Sequence, residues 1–133
     1  MKTKYKIFLA KQIYKIISLF MSKNFICERK GLKWNIDLSE AIDLHIFLFG
    51  YFEQEIKITA KKMKLNKHKV ILDIGANFGV QSLQFASNFN NSKIFAIEPT
   101  KYAFKKMIKN FDLNHDFAKN IFPEQIFLSS HNK

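Results

Sequence analysis

The spacing of hydrophobic positions changes character at residue 70. Before it, helical and strand periodicities follow one another. Leu9, Ile13, Ile16 and Phe20 fall on one helical face, and Lys11, Lys15, Ser18 and Ser22 on another, which predicts an amphipathic helix over residues 7–20. Residues 25–28 read as a strand, Arg29-Lys30-Gly31 as a turn, and residues 32–36 as the return strand, with Leu32, Trp34 and Ile36 on one face. Asp37 and Glu40 have the spacing of a capping box, so a helix is expected from there to Phe49, stopped by Gly50. A further helix is expected over residues 52–64, where Glu53 and Lys57 can pair one turn apart. Asn66-Lys67-His68-Lys69 reads as a polar linker.

From Val70 onward, short apolar runs alternate with amphipathic stretches. A strand is expected over residues 70–74. The helix after it carries Phe78, Ser82, Phe85 and Phe89 on one stripe, with Leu83 and Ala86 beside it. A second strand is expected over residues 93–97. Pro99-Thr100 then opens a second helix, with Phe104, Met107, Ile108 and Phe111 towards the sheet, Lys101, Lys105 and Lys109 towards water, and Asn114 at its C-terminus. The third strand is placed at residues 125–128, because Pro123 argues against an earlier start. Strand, helix, strand, helix, strand implies an α/β fold with parallel pairing and right-handed crossovers. The expected organisation is an extension over residues 1–69 and an α/β core over residues 70–133.

Candidate chemistry concentrates where the first core strand meets its helix. Val70-Ile71-Leu72-Asp73-Ile74 runs straight into Gly75-Ala76-Asn77-Phe78-Gly79. Glycines there let backbone approach a ligand, and a helix start offers unpaired N–H groups. Nineteen residues after Gly79, Glu98 ends the second strand, and a carboxylate about 20 residues on can accept hydrogen bonds from ribose hydroxyls. This is the layout of a nucleotide-ribose site. A dinucleotide fold would want G-x-G-x-x-G, and Gly75 and Gly79 lack the middle glycine that lets a pyrophosphate approach. No Gly-Lys-Ser/Thr follows, so a phosphate-binding P-loop is absent as well.

The set Asp73-Ile74-Gly75-Ala76-Asn77-Phe78-Gly79, then Ala96-Ile97-Glu98-Pro99, then Lys109-Asn110-Phe111-Asp112-Leu113-Asn114 resembles the FkbM family of S-adenosylmethionine-dependent methyltransferases. The stretch from Asp37-Leu38-Ser39 to Gly50-Tyr51-Phe52-Glu53 is also similar to what precedes the core in that family. The resemblance covers about residues 25–130. It implies a Rossmann-like class I methyltransferase half-core, with three parallel strands in the order 3-2-1. It implies O-methylation of a hydroxyl on a sugar or other small natural product, with S-adenosylmethionine as cofactor. It places Asp73 and Gly75 near the amino-acid part of the cofactor, Glu98 on the ribose hydroxyls, and Asn77 in the shaping of the loop. Ala76 and Gly79 complete the candidate cofactor-binding set; no catalytic residue and no metal ligand are assigned. The physical chemistry is compatible with this. S-adenosylmethionine has no pyrophosphate, and it has a ribose diol, a carboxylate and an ammonium that suit Glu98, the helix amides and Asp73. Structural roles stand beside these: Asp73 as a brace for the turn, Glu98 as N-terminal charge on the second helix, Asn77 as a turn residue. Ser129 and Ser130 stand where many methyltransferases carry an acidic residue near the adenine.

A full core of this kind has four more strands. Its acceptor side is built from them, so the 133-residue chain is expected to lack turnover by itself. The first strand is expected to have one open edge, covered by the N-terminal hairpin, a second copy, or a separately encoded half. The alternatives to an active methyltransferase are a truncated cofactor-binding module or pseudoenzyme requiring a partner chain, and a membrane-peripheral interaction protein.

Composition adjusts this picture in three places. The formal net charge is +11, and residues 1–69 hold 15 basic and 6 acidic side chains against 7 and 5 in residues 70–133. A basic lobe suits nucleic acid, an anionic membrane or an acidic substrate. Arg29 is the only arginine, however, and base readout favours arginine, so nucleic acid is not the expected partner. Cys27 is the single cysteine and excludes an internal disulfide; it is read as a small buried hydrophobe in a strand. His45, His68, His115 and His131 lack ligand spacing, and no metal is expected. The apolar stretch at residues 7–20 is too short and too charged to span a bilayer, and no small-residue cleavage site follows it. The expectation is a cytoplasmic protein with that helix packed on the domain; the alternative is peripheral membrane contact through the same helix.

Overall fold

A computed structural model describes residues 12–17, 19–62, 70–89 and 91–130. Of the expected N-terminal helix, residues 12–17 are helical, while residues 1–11 and 18 lie outside the described residues, as do the expected linker at 66–69 and His131. The chain divides into two compact units, Met1–Phe52 and Glu53–Lys133.

The first unit is a hairpin with one helix. Strands β1 (Asn24–Arg29) and β2 (Leu32–Asp37) pair antiparallel through a two-residue turn. Lys30 and Gly31 both take positive φ, 56° and 76°, the twist that a tight hairpin turn needs. Leu32, Trp34 and Ile36 point to one face, as the alternation predicts, and are buried, as are Leu38 of the following turn and Leu44 and Ile46 of helix α1 (Ala41–Phe49). Cys27 is half-buried, not buried, and among the described residues β1 pairs only with β2; desolvation still raises its thiol above the ordinary value, and Arg29 partly offsets this. The expected capping box does not form. Glu40 is the N-cap and makes no side-chain cap bond. Asp37 instead closes a local turn, its Oδ1 accepting from the Ser39 amide at 2.9 Å and hydroxyl at 2.6 Å. The carboxylate that reaches back belongs to buried Asp43, which accepts from the Asp37 amide at 2.7 Å.

The second unit opens with α2 (Gln54–Lys62) and continues as an α/β sheet. Strands β3 (Val70–Ile74), β4 (Lys93–Ile97) and β5 (Ile121–Glu124) are parallel, in the spatial order β3-β4-β5, which is the expected 3-2-1 arrangement. Between them run α3 (Val80–Asn88), α4 (Lys101–Leu113) and the single turn α5 (His115–Ala118). Both strand-to-strand steps go the same way, so right-handed crossovers put α3 and α4 on one face of the sheet. On that face Ile94, Ala96 and Ile121 are buried, as are Leu83, Phe85, Met107 and Phe111 of the helices. On the other face Val70, Leu72 and Ile74 are each more than 60 % exposed, and Phe95 stacks on Phe122 at 5.2 Å. Among the described residues β3 pairs on one side only.

The structure departs from the sequence pattern in two elements of this unit. The third strand begins at Ile121, not 125, and contains Pro123. The amides of Ile94 and Glu98 donate to the carbonyls of Asn120 and Glu124. Pro123 is out of phase with those carbonyls, so its missing N–H lies on the side away from β4, where no ladder bond is lost. The buried stripe of α4 is also rotated: Ala103, Lys106, Met107, Asn110 and Phe111 are buried, whereas Phe104 and Ile108 are half-buried. Among the described residues no helix is long and apolar enough to cross a membrane.

Candidate functional site

β3 and β4 lie side by side and parallel, so their C-terminal ends open at the same edge of the sheet. Ile74 pairs with Ile97, which brings the turn at residues 75–79 next to Glu98. In an open α/β sheet this carboxyl end is where ligands bind. The candidates Asp73, Gly75, Ala76, Asn77, Gly79 and Glu98 thus occupy one locality.

The turn is an unusual length of backbone. Gly75, Asn77 and Gly79 all have positive φ, at 77°, 50° and 76°. Glycine adopts this region without steric cost, and asparagine is one of the few other residues to tolerate it. Such a conformation persists only when its surroundings hold it. β4 holds it from one side: the Ile97 carbonyl accepts from the amides of both Gly75 and Ala76 at 2.9 Å, and Glu98 Oε2 accepts from the Asn77 amide at 3.0 Å. The turn closes on itself where the Gly79 amide donates to the Ala76 carbonyl at 2.8 Å.

The two glycines differ in what surrounds them. A Cβ at Gly75 would meet nothing within 4 Å, so that backbone is approachable. A Cβ at Gly79 would stand 2.5 Å from Phe111 Cε1 and 2.8 Å from Met107 Cγ. Gly79 therefore lets α4 pack against the turn.

Glu98 is 6 % exposed and well satisfied. Its Oε1 accepts from the Thr100 amide at 2.9 Å and hydroxyl at 2.6 Å, while Oε2 takes the Asn77 amide. Burial by itself would raise this carboxyl, but the hydrogen bonds from Thr100 and Asn77 together outweigh it and hold the group below its ordinary range. Glu98 is thus ionised at neutral pH. A carboxylate has about four acceptor positions, so three bonds leave one on Oε2.

Asp73 is half-buried, with Oδ2 accepting from the Ser82 hydroxyl at 2.6 Å. Ser82 lies in the first turn of α3, so Asp73 braces the start of that helix. Desolvation raises its carboxyl above the ordinary range, and the hydroxyl and amide of Ser82 offset part of that. Thr100, which bonds Glu98, and Ser82, which bonds Asp73, are the neighbours of the candidate carboxylates that sequence reasoning missed, and Asn110, whose side chain donates to the Phe78 carbonyl at 2.9 Å, reaches the turn from α4. Thr100 was legible as a partner of Glu98 two residues on; Ser82 and Asn110 become neighbours only when the helices dock.

No model of a protein family matches the chain, and no curated protein matches it in sequence. Solved structures do match in fold. TYW2 from M. jannaschii, in complex with AdoMet, superimposes with a TM-score of 0.55 at 20 % identity, over 77 % of this chain and 43 % of that one. TYW2 from P. horikoshii, in complex with MeSAdo, gives 0.58 at 17 % identity, over 95 % of this chain and 50 % of that one. A SAM-dependent methyltransferase from Agrobacterium tumefaciens gives 0.55 at 18 % identity, over 79 % and 33 %. This chain spans a third to a half of the length of those proteins. At these identities the likeness speaks for architecture: the second unit is a Rossmann-like α/β sheet of the kind found in S-adenosylmethionine-dependent methyltransferases.

Proposed function

We propose that the chain binds S-adenosylmethionine as part of a methyltransferase of the FkbM type, acting on a hydroxyl of a sugar or small natural product. The observation that carries this reading is the pairing of Ile74 with Ile97, which sets the glycine turn and an ionised Glu98 side by side at the carboxyl end of the sheet. The residues fit the cofactor. Gly75 leaves open space in front of its backbone, Glu98 keeps one acceptor position for a ribose hydroxyl, and Asp73 offers a carboxylate to an ammonium. The turn offers less to the cofactor's carboxylate, since the amides of Gly75, Ala76, Asn77 and Gly79 are engaged within the protein. Bound S-adenosylmethionine would supply an activated methyl group; the chain's own task is to hold and orient it, since in-line transfer depends chiefly on position. The FkbM assignment is supported by the residue pattern running from Asp73 to Asn114.

Calorimetry tests the cofactor: S-adenosylmethionine or S-adenosylhomocysteine should bind, and more tightly than NAD. Tighter NAD binding would reject the assignment.

A second reading is favoured by the exposed Val70, Leu72 and Ile74. In it the chain is a cofactor-binding module that needs a partner chain beside β3 to hold the acceptor. Cofactor binding is common to both readings. Robust methyl transfer to a hydroxyl acceptor by the purified 133-residue monomer would exclude the second.

A further inference from the structure

Asn110 sits on the third turn of α4 and is 1 % exposed. Its Nδ2 donates to the carbonyl of Phe78, 32 residues away, at 2.9 Å. A carbonyl only accepts, so this contact fixes the orientation of the amide. Phe78 O belongs to the same peptide group as the Gly79 amide, which donates to the Ala76 carbonyl at 2.8 Å. Ala76 O in turn shares a peptide group with the Asn77 amide, which donates to Glu98 Oε2 at 3.0 Å. The result is one directed chain: Asn110 amide, peptide 78–79, peptide 76–77, Glu98 carboxylate. Every bond runs donor to acceptor in the same sense, so each polarises the next. The Asn114 side chain, from the end of α4, donates to the Asn110 carbonyl at 2.7 Å and steadies the helix end that carries it. Lys106 Nζ lies 4.0 Å from the centre of the Phe78 ring and Tyr102 meets that ring edge-on, so α4 grips the same residue by its side chain.

We propose that Asn110 is a positioning residue for the cofactor site, holding the glycine turn and the Glu98 carboxylate in ligand-ready geometry through two intervening peptide groups. The inference rests on the cofactor reading above and adds to it a residue on α4 with no place in the ligand's immediate surroundings. Losing the Asn110 donor would leave the Phe78 carbonyl without that partner and loosen a turn that has three positive φ angles.

The test compares wild type, Asn110→Ala and Ala103→Gly, the last being a control that weakens α4 without touching the chain of bonds. S-adenosylhomocysteine affinity is measured by calorimetry well below each melting temperature. Amide hydrogen exchange at Asn77 and Gly79 is measured on the ligand-free protein. Asn110→Ala should bind about tenfold more weakly than wild type, and both amides should exchange faster; Ala103→Gly should match wild type in both. If Asn110→Ala does not fold, Asn110→Ser carries the same comparison, since serine is polar but too short to reach Phe78. Wild-type affinity and wild-type exchange in the Asn110 variant would overturn the positioning role and leave the cofactor reading standing. No binding by the wild-type protein would overturn the cofactor reading and this proposal with it.

Discussion

Glu98 and Asp73 are both carboxylates at strand ends, yet their surroundings act on them with opposite net effect. Three hydrogen bonds win over burial at Glu98, so its stabilising contribution is present at neutral pH and is lost as pH falls from its ordinary value through the depressed one. Burial wins at Asp73, so the fold favours its protonated form; stability falls as pH rises from the ordinary carboxylate value through the raised one. Glu98→Gln is therefore expected to be less stable than wild type at pH 7, with the difference closing on acidification. Asp73→Asn, which keeps an acceptor for Ser82, should be at least as stable as wild type at pH 7. Urea unfolding at several pH values reads both. Glu98→Gln should also weaken S-adenosylmethionine binding by about 10- to 100-fold, the worth of one charge-assisted hydrogen bond; equal calorimetric affinity would remove Glu98 from the site. The meeting of Asp73, Gly75 and Glu98 at one edge of the sheet was legible because strand, turn and second strand are close in sequence and their spacing is regular. Which glycine faces open space and which faces a helix was not legible, because it depends on where Phe111 and Met107 arrive.

At the scale of elements, the short strands and their order follow from alternating apolar runs, and β3 and β4 lie where periodicity places them. The misplacement of β5 came from reading Pro123 as a strand breaker without knowing which side of the strand lacks a neighbour. The rotation of α4 came from counting Phe104 and Ile108 as its inward residues. Lys106 and Asn110 take the buried positions because they engage Phe78. The start of α1 was misread for a related reason: a carboxylate three residues into the helix does the reaching back, and it is Asp43. Asp43→Ala should cost about 2 kcal/mol in thermal or urea unfolding, since it removes a buried carboxylate bonded to the Asp37 amide. Gly79→Ala should destabilise by about 2–3 kcal/mol, combining overpacking against Phe111 with a strained φ. Gly75→Ala meets only the φ penalty, so it should be milder in unfolding and more damaging in cofactor binding.

For the molecule as a whole, the sheet has one face under α3 and α4 and one face of Val70, Leu72, Ile74 and Phe122 turned outward. Among the described residues β3 is paired on one side only, and an apolar strand edge left unpaired invites pairing with another chain. Net charge of +11 opposes self-association, most strongly at low ionic strength. Association of the purified chain is therefore expected to grow with salt, and Leu72→Lys should suppress it. Sedimentation velocity at low and high salt measures both, and a monomer under all conditions would show that this face does not drive association.

The clamp of α4 on the glycine turn also orders events in time. During synthesis β3, the turn and β4 leave the ribosome before Asn110 does. Until α4 emerges and docks, Phe78 lacks its Asn110 bond and Gly79 lacks its bed of Phe111 and Met107. The settled turn is thus a late product of a nascent chain, completed by Asn110, 32 residues after Phe78.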